Sequence, residues 1–222
     1  MSNVAIVLGA GSGTRMKSEK SKLLLEIDGK TVIERSVNAF LNISDVDDII
    51  VTVRKQDLET FANLLDDERI TFVIGGDTRQ KSVKNAVDTI DSADMLIIHD
   101  GARPLISEED IENTVIAAKD CGAAAVGVPV KDTIKVIDGD NFIVDTPDRS
   151  KLFAVQTPQI FDFKQYKNAL EKSLDDGKDF TDDCQLIEYA GGKVKMVTGS
   201  YTNIKITTPD DLPLAENILK SR

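Results

Sequence analysis

The fold is decided by the stretch Val4-Ala5-Ile6-Val7-Leu8-Gly9-Ala10-Gly11-Ser12-Gly13-Thr14. Its first five residues form a continuous apolar run, which is typical of a strand buried on both faces of a parallel sheet. The glycine-rich run that follows predicts a tight turn whose backbone N–H groups can approach a phosphate without interference from a Cβ atom. The stretch therefore predicts an α/β fold with an anion-binding turn after the first strand.

Outward from this stretch, short apolar segments alternate with amphipathic helices. Strands are predicted at residues 4–8, 48–53, 70–74, 95–98 and 124–128, and helices at 31–41, 56–65, 82–90 and 108–119, the last with Ser107 as N-cap. This order predicts a Rossmann-like, mainly parallel sheet with helices on both faces. Ligands bind such sheets at the carboxyl ends of the strands, so the turns at 9–14, 75–77 and 99–104 are expected to share one edge.

The alternation breaks after Pro129. Two extended segments, 131–137 and 142–146, flank the turn Asp138-Gly139-Asp140-Asn141, which predicts a β-hairpin. Strands at 151–156, 193–197 and 203–207 and helices at 163–174, 182–189 and 209–219 are predicted to follow, with Pro209 in the first turn of the last helix. The simplest organisation is a single domain, 1–222, with a protruding arm at 131–150.

Composition excludes several classes of protein. Among 222 residues, 27 are basic and 38 acidic, and the resulting net charge of −11 disfavours nonspecific binding to nucleic acid or anionic membranes. No apolar run approaches the roughly 20 residues that span a bilayer. The start lacks a basic region and a cleavage site, so no secretory signal and a cytoplasmic location are expected. Cys121, Cys184 and the single histidine, His99, have no zinc-site spacing, and both thiols are expected in a reducing compartment.

The glycine loop alone does not identify a ligand. Lys17 lacks the spacing of a P-loop lysine, Thr14 stands where the dinucleotide fingerprint has its third glycine, and the second strand ends at Arg54 without an acidic residue for a ribose. The loop could therefore be a purely structural turn. Two nearby cations, Arg15 and Lys22, favour a polyphosphate ligand.

A second unusual turn is His99-Asp100-Gly101-Ala102-Arg103-Pro104. A carboxylate at the end of a strand is a suitable Mg²⁺ ligand, with substrate phosphates completing the shell, so Asp100 is the candidate metal ligand. The alternative is that Asp100 only caps the turn. His99 is expected to be a buried, hydrogen-bonded structural residue, and Arg103 to face an anionic group.

Several motifs in this order resemble the nucleotidyltransferases of the sugar-nucleotide type, and closely the 2-C-methyl-D-erythritol 4-phosphate cytidylyltransferase family. They comprise the first loop continued by Arg15-Met16, Ser21-Lys22, Gly75-Gly76-Asp77-Thr78-Arg79-Gln80-Lys81-Ser82-Val83, the turn at 99–104, Val130-Lys131-Asp132-Thr133-Ile134-Lys135, Gln156-Thr157-Pro158-Gln159, Thr181-Asp182-Asp183 and Asn203-Ile204-Lys205-Ile206-Thr207. The resemblance covers essentially the whole chain. It departs from the family at Gly9-Ala10-Gly11, where Ala-Ala-Gly is usual, and at Ser21-Lys22-Leu23, where Pro-Lys-Gln is usual.

The resemblance implies the nucleotide-diphospho-sugar transferase fold and a site for CTP, Mg²⁺ and a polyol phosphate. The implied nucleotide contacts are Gly9, Ala10, Gly11, Gly13, Gly76, Asp77 and Ser82, with Arg15 and Lys22 on the phosphates and Asp100 on Mg²⁺. The implied acceptor contacts are Arg103, Thr181 and Lys205, completed by Thr133 and Arg149 from the exchanged arm of a homodimer partner. Arg15, Lys22, Arg149 and Lys205 are the implied catalytic residues.

Three other functions stay open at this point. A ribitol-5-phosphate cytidylyltransferase would share the fold, the arm and the nucleotide loop. An NAD(P)-dependent oxidoreductase is favoured only by the first strand and its glycines. A catalytically silent nucleotide-binding module is disfavoured because Arg15, Lys22, Asp100 and Lys205 are all present.

Overall fold

The computed structural model of the chain describes residues 2–11 and 21–222. In these residues the strands are β1 (Asn3–Leu8), β2 (Glu26–Ile27), β3 (Lys30–Thr31), β4 (Asp48–Val53), β5 (Ile70–Ile74), β6 (Met95–Asp100), β7 (Ala123–Pro129), β8 (Val136–Ile137), β9 (Ile143–Asp145), β10 (Phe153–Asp162) and β11 (Lys195–Thr198). The α-helices are α1 (Val32–Leu41), α2 (Leu58–Leu64), α3 (Arg79–Val87), α4 (Glu108–Cys121), α5 (Phe163–Asp175), α6 (Asp183–Tyr189) and α7 (Asp211–Lys220). None of the helices described in residues 2–11 and 21–222 has the length and apolar character needed to cross a bilayer.

Seven of these strands form the central sheet in the order β11-β7-β10-β6-β1-β4-β5. All neighbouring pairs are parallel except those that involve β10, which runs antiparallel to both β6 and β7. The predicted mainly parallel sheet is therefore confirmed. At the carboxyl end of β1, Leu8 is in register with Thr52 of β4 and Asp100 of β6, so three strand ends lie side by side.

Helices cover both faces of this sheet, as the sequence predicts. Ala5 and Val7 of β1 belong to the core under α1, α2, α4 and α7, whereas Val4 and Ile6 belong to the core under α3, α5 and α6. Successive side chains of a strand point to opposite faces, so an unbroken apolar run is required when both faces are buried.

Local sequence signals set the helix ends. Thr31 and Glu34 form a capping box at the start of α1. Ser107 accepts a hydrogen bond from the Asp110 backbone N–H at the start of α4, as predicted. Gly122 ends α4 with φ of 83°, a left-handed conformation that glycine adopts without steric cost.

Two predictions of secondary structure are wrong. Residues 203–207 form no strand, and the segment is instead anchored by single contacts, among them the Ile206 backbone N–H to the Ala102 carbonyl at 2.8 Å. The last helix begins at Asp211, so Pro209 precedes it. The hairpin is present but short, with β8 paired to β9 antiparallel.

Candidate active site

A cleft of about 460 Å³ opens at the carboxyl ends of β1, β4, β5 and β6. The residues that line it come from the three turns predicted from the sequence, from the start of α3 and from three further segments: Leu8, Ala10, Gly11, Lys22, Leu23, Thr52, Arg54, Gly76, Asp77, Thr78, Arg79, Ser82, Asp100, Ala102, Lys205 and Thr207. The expectation that the three turns share one edge of the sheet is confirmed.

The first turn packs tightly against its neighbours, and this explains Gly9. Its N–H donates to the Thr52 carbonyl at 2.8 Å and to Thr52 Oγ1 at 3.2 Å. A Cβ atom at Gly9 would lie 2.6 Å from the Thr52 carbonyl oxygen. Gly9 therefore permits close approach of β1 and β4, and its N–H is committed within the protein. Ala10 and Gly11 are the described loop residues that line the cleft, while Gly13 and Arg15 lie outside the described residues.

The second turn supplies a polar wall. Ser82 Oγ accepts from the Gly76 N–H at 3.1 Å and donates to the Thr78 carbonyl at 2.9 Å, which fixes the backbone ahead of α3. Asp77 is exposed and pairs with Lys81 at 2.8 Å, and the hydrogen bond from Lys81 lowers the pKa of Asp77. The wall thus offers backbone groups and one carboxylate, which suits hydroxyl and base atoms better than phosphate.

The most highly charged part of the cleft is centred on Asp100. Lys205 Nζ lies 2.6 Å from Asp100 Oδ2, Arg79 Nε 3.6 Å from Oδ1, and Arg103 Nε 3.9 Å from Oδ2. Burial alone would raise the pKa of Asp100, but Arg79, Lys205 and Arg103 outweigh it and hold the pKa well below its usual range. Asp100 is therefore ionised in the folded protein, and three cations converge on it.

His99 is buried behind this cluster, as expected from the sequence. The Asp100 backbone N–H donates to Thr157 Oγ1 at 3.0 Å, which leaves the Thr157 hydroxyl to donate to His99 Nδ1 at 3.1 Å. His99 Nε2 then carries the proton and donates to the Arg103 carbonyl at 3.1 Å. Burial lowers the pKa of His99 to about 4, so the neutral ring ties together the two ends of the turn at 99–104.

This arrangement predicts an acid-sensitive fold. The usual pKa of His99 is 6.5 and the folded value is about 4, so the unfolded chain takes up a proton first as the pH falls. For this reason, the free energy of unfolding should fall by up to about 3 kcal/mol as the pH decreases from 6.5 to 4. Above pH 6.5 the ring is neutral in both states, so His99 should cause no change with pH there. Urea unfolding of the wild type and His99→Gln at several pH values measures it. If the free energy of unfolding depends on pH in the same way in both proteins, His99 is not the source of the acid sensitivity.

Lys22 also lines the cleft. Its Nζ donates to the Ile206 carbonyl at 2.6 Å, and Ser21 caps the short turn that carries it. The same carbonyl segment, residues 203–207, also carries Lys205, so both lysines are held by one stretch of chain. The structure thus brings the two predicted catalytic lysines together.

Other predicted acceptor residues lie outside the cleft lining. The side chain of Arg103 is 12% exposed, and its Nη1 donates to the Asn203 carbonyl at 2.7 Å. Thr181 is exposed just before α6. Thr133 and Arg149 are on the arm, where Arg149 Nη1 donates to the Lys131 carbonyl and Arg149 lines a separate concavity of about 450 Å³. A single chain therefore places the cleft and the arm residues in two different locations.

Two arginines in the cleft wall were missed as site residues by the sequence. Arg79 begins α3 and lies between Asp100 and the buried Asp183. Arg54 follows β4 and pairs through Nε with Asp57, and its buried Nη2 has no hydrogen-bond partner in the described residues. The sequence feature that indicates them is their position along the chain, because both follow strands that end at the same edge of the sheet as β1.

Known proteins match this chain over nearly its full length. Residues 3–221 match the family model described as 2-C-methyl-D-erythritol 4-phosphate cytidylyltransferase. The chain belongs to this family. The enzyme of this name from Caldanaerobacter subterraneus subsp. tengcongensis is 46% identical, with 97% of this chain and 98% of the relative covered. The one from Clostridium perfringens is 42% identical, with 98% of each covered.

Solved structures of the cytidylyltransferase family share its fold. The 4-diphosphocytidyl-2C-methyl-D-erythritol synthase from Anaerococcus prevotii superposes with a TM-score of 0.89 at 35% identity, covering 99% of this chain and 96% of that one. The 2-C-methyl-D-erythritol 4-phosphate cytidylyltransferase from Thermus thermophilus gives 0.81 at 29% identity, covering 99% and 100%. The predicted nucleotidyltransferase fold and enzyme class are thereby confirmed.

Proposed function

We infer that this cytidylyltransferase transfers the cytidylyl group of CTP to 2-C-methyl-D-erythritol 4-phosphate. The products are 4-diphosphocytidyl-2-C-methyl-D-erythritol and pyrophosphate, in the non-mevalonate route to isoprenoids. The observation that carries the proposal is the group of Lys22, Lys205 and Arg79 in one cleft of a protein whose net charge is −11. The family membership favours methylerythritol phosphate over ribitol phosphate as the acceptor.

The chemistry requires cations more than a general base. An oxygen of the acceptor phosphate attacks the α-phosphorus of CTP, and the bond from that phosphorus to the bridging oxygen of pyrophosphate breaks. A phosphate monoester has a second pKa near 6, so at neutral pH it is mostly a dianion and already a nucleophile. The neutral, fully hydrogen-bonded His99 is consistent with a reaction that needs no base.

The main barrier is repulsion between the dianion and the triphosphate, together with charge spread over the equatorial oxygens of the α-phosphoryl group. Each preorganised cation directed at those oxygens lowers the barrier by roughly 3 kcal/mol. We assign Lys22 and Arg15 to the CTP phosphates, Lys205 to the transferring centre, and Arg103 with Arg149 to the acceptor phosphate. Ala10, Gly11, Gly76, Asp77 and Ser82 are assigned to the nucleotide.

The same cleft suits a magnesium ion only in part. The described residues contain no cluster of three His, Cys, Asp or Glu side chains that could hold a metal, and Asp100 is already engaged by three cations. Mg²⁺ commonly takes one or two protein carboxylates and completes its shell with substrate phosphates and water. Asp100 therefore fits as a single ligand, and a bound Mg²⁺ would neutralise charge on the triphosphate.

The arm is proposed to complete the acceptor site of a second copy. Its tip carries apolar side chains that are exposed in the described part of the chain, including Phe142 at 71% and Ile143 at 61% exposure. Such a surface favours burial against another protein. A two-fold homodimer with exchanged arms would bring Thr133 and Arg149 to the partner's cleft.

A cytoplasmic location is also proposed, since Cys121 and Cys184 are both free thiols.

Pyrophosphate release tests the reaction directly. The purified protein with CTP and Mg²⁺ should release pyrophosphate rapidly with methylerythritol phosphate. With ribitol 5-phosphate the release should be at least about tenfold slower, because an acceptor site shaped for one polyol phosphate fits the other less well. Reactions without an acceptor and with methylerythritol lacking its phosphate are the controls. Faster release with ribitol 5-phosphate would reassign the acceptor, and no release with either would refute the transferase.

A further inference from the structure

A buried carboxylate behind the cleft is joined to it by a chain of charges. Asp183, the first residue of α6, has a side chain only 4% exposed and lies outside the lining of the cleft. Its carboxylate accepts from Tyr166 Oη at 2.6 Å and from Arg79 Nη1. Arg79 in turn reaches Asp100, and Asp100 reaches Lys205. The charges alternate from the buried carboxylate to the lysine in the cleft.

Arg79 is held between two carboxylates on different elements. Its Nη1 contacts Asp183 Oδ2 and its Nε lies 3.6 Å from Asp100 Oδ1. Burial would lower the pKa of Arg79, but Asp183 and Asp100 outweigh it and raise that pKa above its usual value. A guanidinium that contacts two carboxylates through different nitrogens has little rotational freedom, and Arg79 lines the cleft in this fixed orientation.

Asp183 is itself fixed by the sheet and by α5. The Asp183 backbone N–H donates to Gln159 Oε1 of β10 at 3.1 Å, and Tyr166 of α5 is fully buried. A buried carboxylate of this kind costs desolvation free energy and is a weak source of stability compared with an apolar side chain of similar size. Its placement against Arg79 therefore calls for a reason other than stability.

We propose that Asp183 is a positioning residue for cytidylyl transfer, acting on the reacting phosphates through Arg79, Asp100 and Lys205. Asp183 touches no substrate. Asp183 fixes the orientation of the Arg79 guanidinium, and Arg79 fixes the orientation of the Asp100 carboxylate. Asp100 in turn holds the Lys205 ammonium group where the α-phosphoryl group is transferred. The proposal rests on the proposed function, and it adds a residue that lies on a helix away from the cleft.

Kinetics of Asp183→Asn test the proposal, with Tyr166→Phe as the matched control. Asp183→Asn keeps the shape and removes the charge that orients Arg79, so kcat should fall by roughly tenfold to a hundredfold with little change in the KM for CTP. Tyr166→Phe removes a hydrogen bond to the same carboxylate and leaves its charge, so it should lower the thermal midpoint while kcat stays close to that of the wild type.

A double-mutant cycle with Arg79→Met shows whether the effect passes through Arg79. The double variant should have the kcat of Arg79→Met alone, because the carboxylate then has nothing left to orient. Additive losses, an unchanged kcat in Asp183→Asn, or equal kcat losses in Asp183→Asn and Tyr166→Phe would each overturn the proposal. If Asp183→Asn does not fold, Asp183→Glu, which moves the charge by one methylene, is measured instead. An inactive wild type would refute the proposed function, whereas an active wild type with an equally active variant refutes only this inference.

Discussion

Lys22→Ala and Lys205→Ala are each expected to lower kcat by at least about a hundredfold, because each removes a preorganised cation from the phosphates as negative charge builds up. Lys205 Nζ lies 2.6 Å from Asp100 Oδ2, and Lys22 Nζ is held by the Ile206 carbonyl. Both ammonium groups are therefore placed before substrate binds. Steady-state kinetics with CTP and methylerythritol phosphate measure the loss.

The fold should survive both substitutions. Lys205 is 39% exposed, and Arg79 and Arg103 still face the buried Asp100 carboxylate when Lys205 is removed, so the thermal midpoint of Lys205→Ala should fall by only a few degrees. Lys195→Ala, which removes an exposed lysine on β11 away from the cleft, is the matched control and should retain full kcat. A Lys22→Ala or Lys205→Ala enzyme with nearly normal turnover would remove that lysine from the catalytic machinery.

The sequence predicts several parallel strands of the central sheet because they are nearly unbroken apolar runs. Val4 to Leu8 contribute to two cores, as a strand covered on both faces requires. The central antiparallel strand β10 is predicted less well, because polar residues and Pro158 interrupt its apolar pattern and the strand continues to Asp162, beyond the predicted end at residue 156. Edge and side-chain-anchored segments are harder. Residues 203–207 have strand-like composition, yet they are held by contacts such as Asn203 Nδ2 to the Thr157 carbonyl, which no local pattern indicates.

Within the site, sequence motifs locate residues that lie just after strands. Asp100 is predicted in this way, whereas Lys22 is predicted as a cation near the glycine loop and Lys205 through the family resemblance; all three line one cleft. The need for glycine at position 9 is not visible in the sequence. A Cβ atom there would lie 2.6 Å from the Thr52 carbonyl oxygen on the neighbouring strand, and only the fold brings these two residues together. The sequence indicates Arg79 only as part of a motif. Its contact with Asp183 joins residues more than a hundred positions apart, which no local pattern predicts.

Arg149 lies on the arm and not in the cleft of its own chain. If it binds the acceptor phosphate, Arg149→Ala should raise the KM for methylerythritol phosphate by at least about tenfold and leave the KM for CTP nearly unchanged, because a charge-assisted contact to the acceptor alone is lost. Equal changes in both KM values would place Arg149 elsewhere.

The proposed exchange of arms makes a stronger prediction about mixtures of defective chains. In a mixed dimer of Lys205→Ala and Arg149→Ala chains, one cleft carries both defects, while the other has Lys205 from one chain and Arg149 from its partner. Random pairing makes half of the dimers mixed, so co-expression should restore about one quarter of wild-type activity when measured at low acceptor concentration.

The matched control for this complementation is a mixture of Lys22→Ala and Lys205→Ala chains. Both lysines belong to the cleft of the same chain, where Lys22 Nζ donates to the carbonyl next to Lys205. Every mixed dimer then has one defect in each cleft, and no activity should return. No recovery in the Lys205→Ala and Arg149→Ala mixture would mean that the arm does not serve the partner's cleft, and recovery in the control would mean that the two lysines do not act in one cleft. The contrast between the two mixtures thus separates a shared site from a site built by one chain.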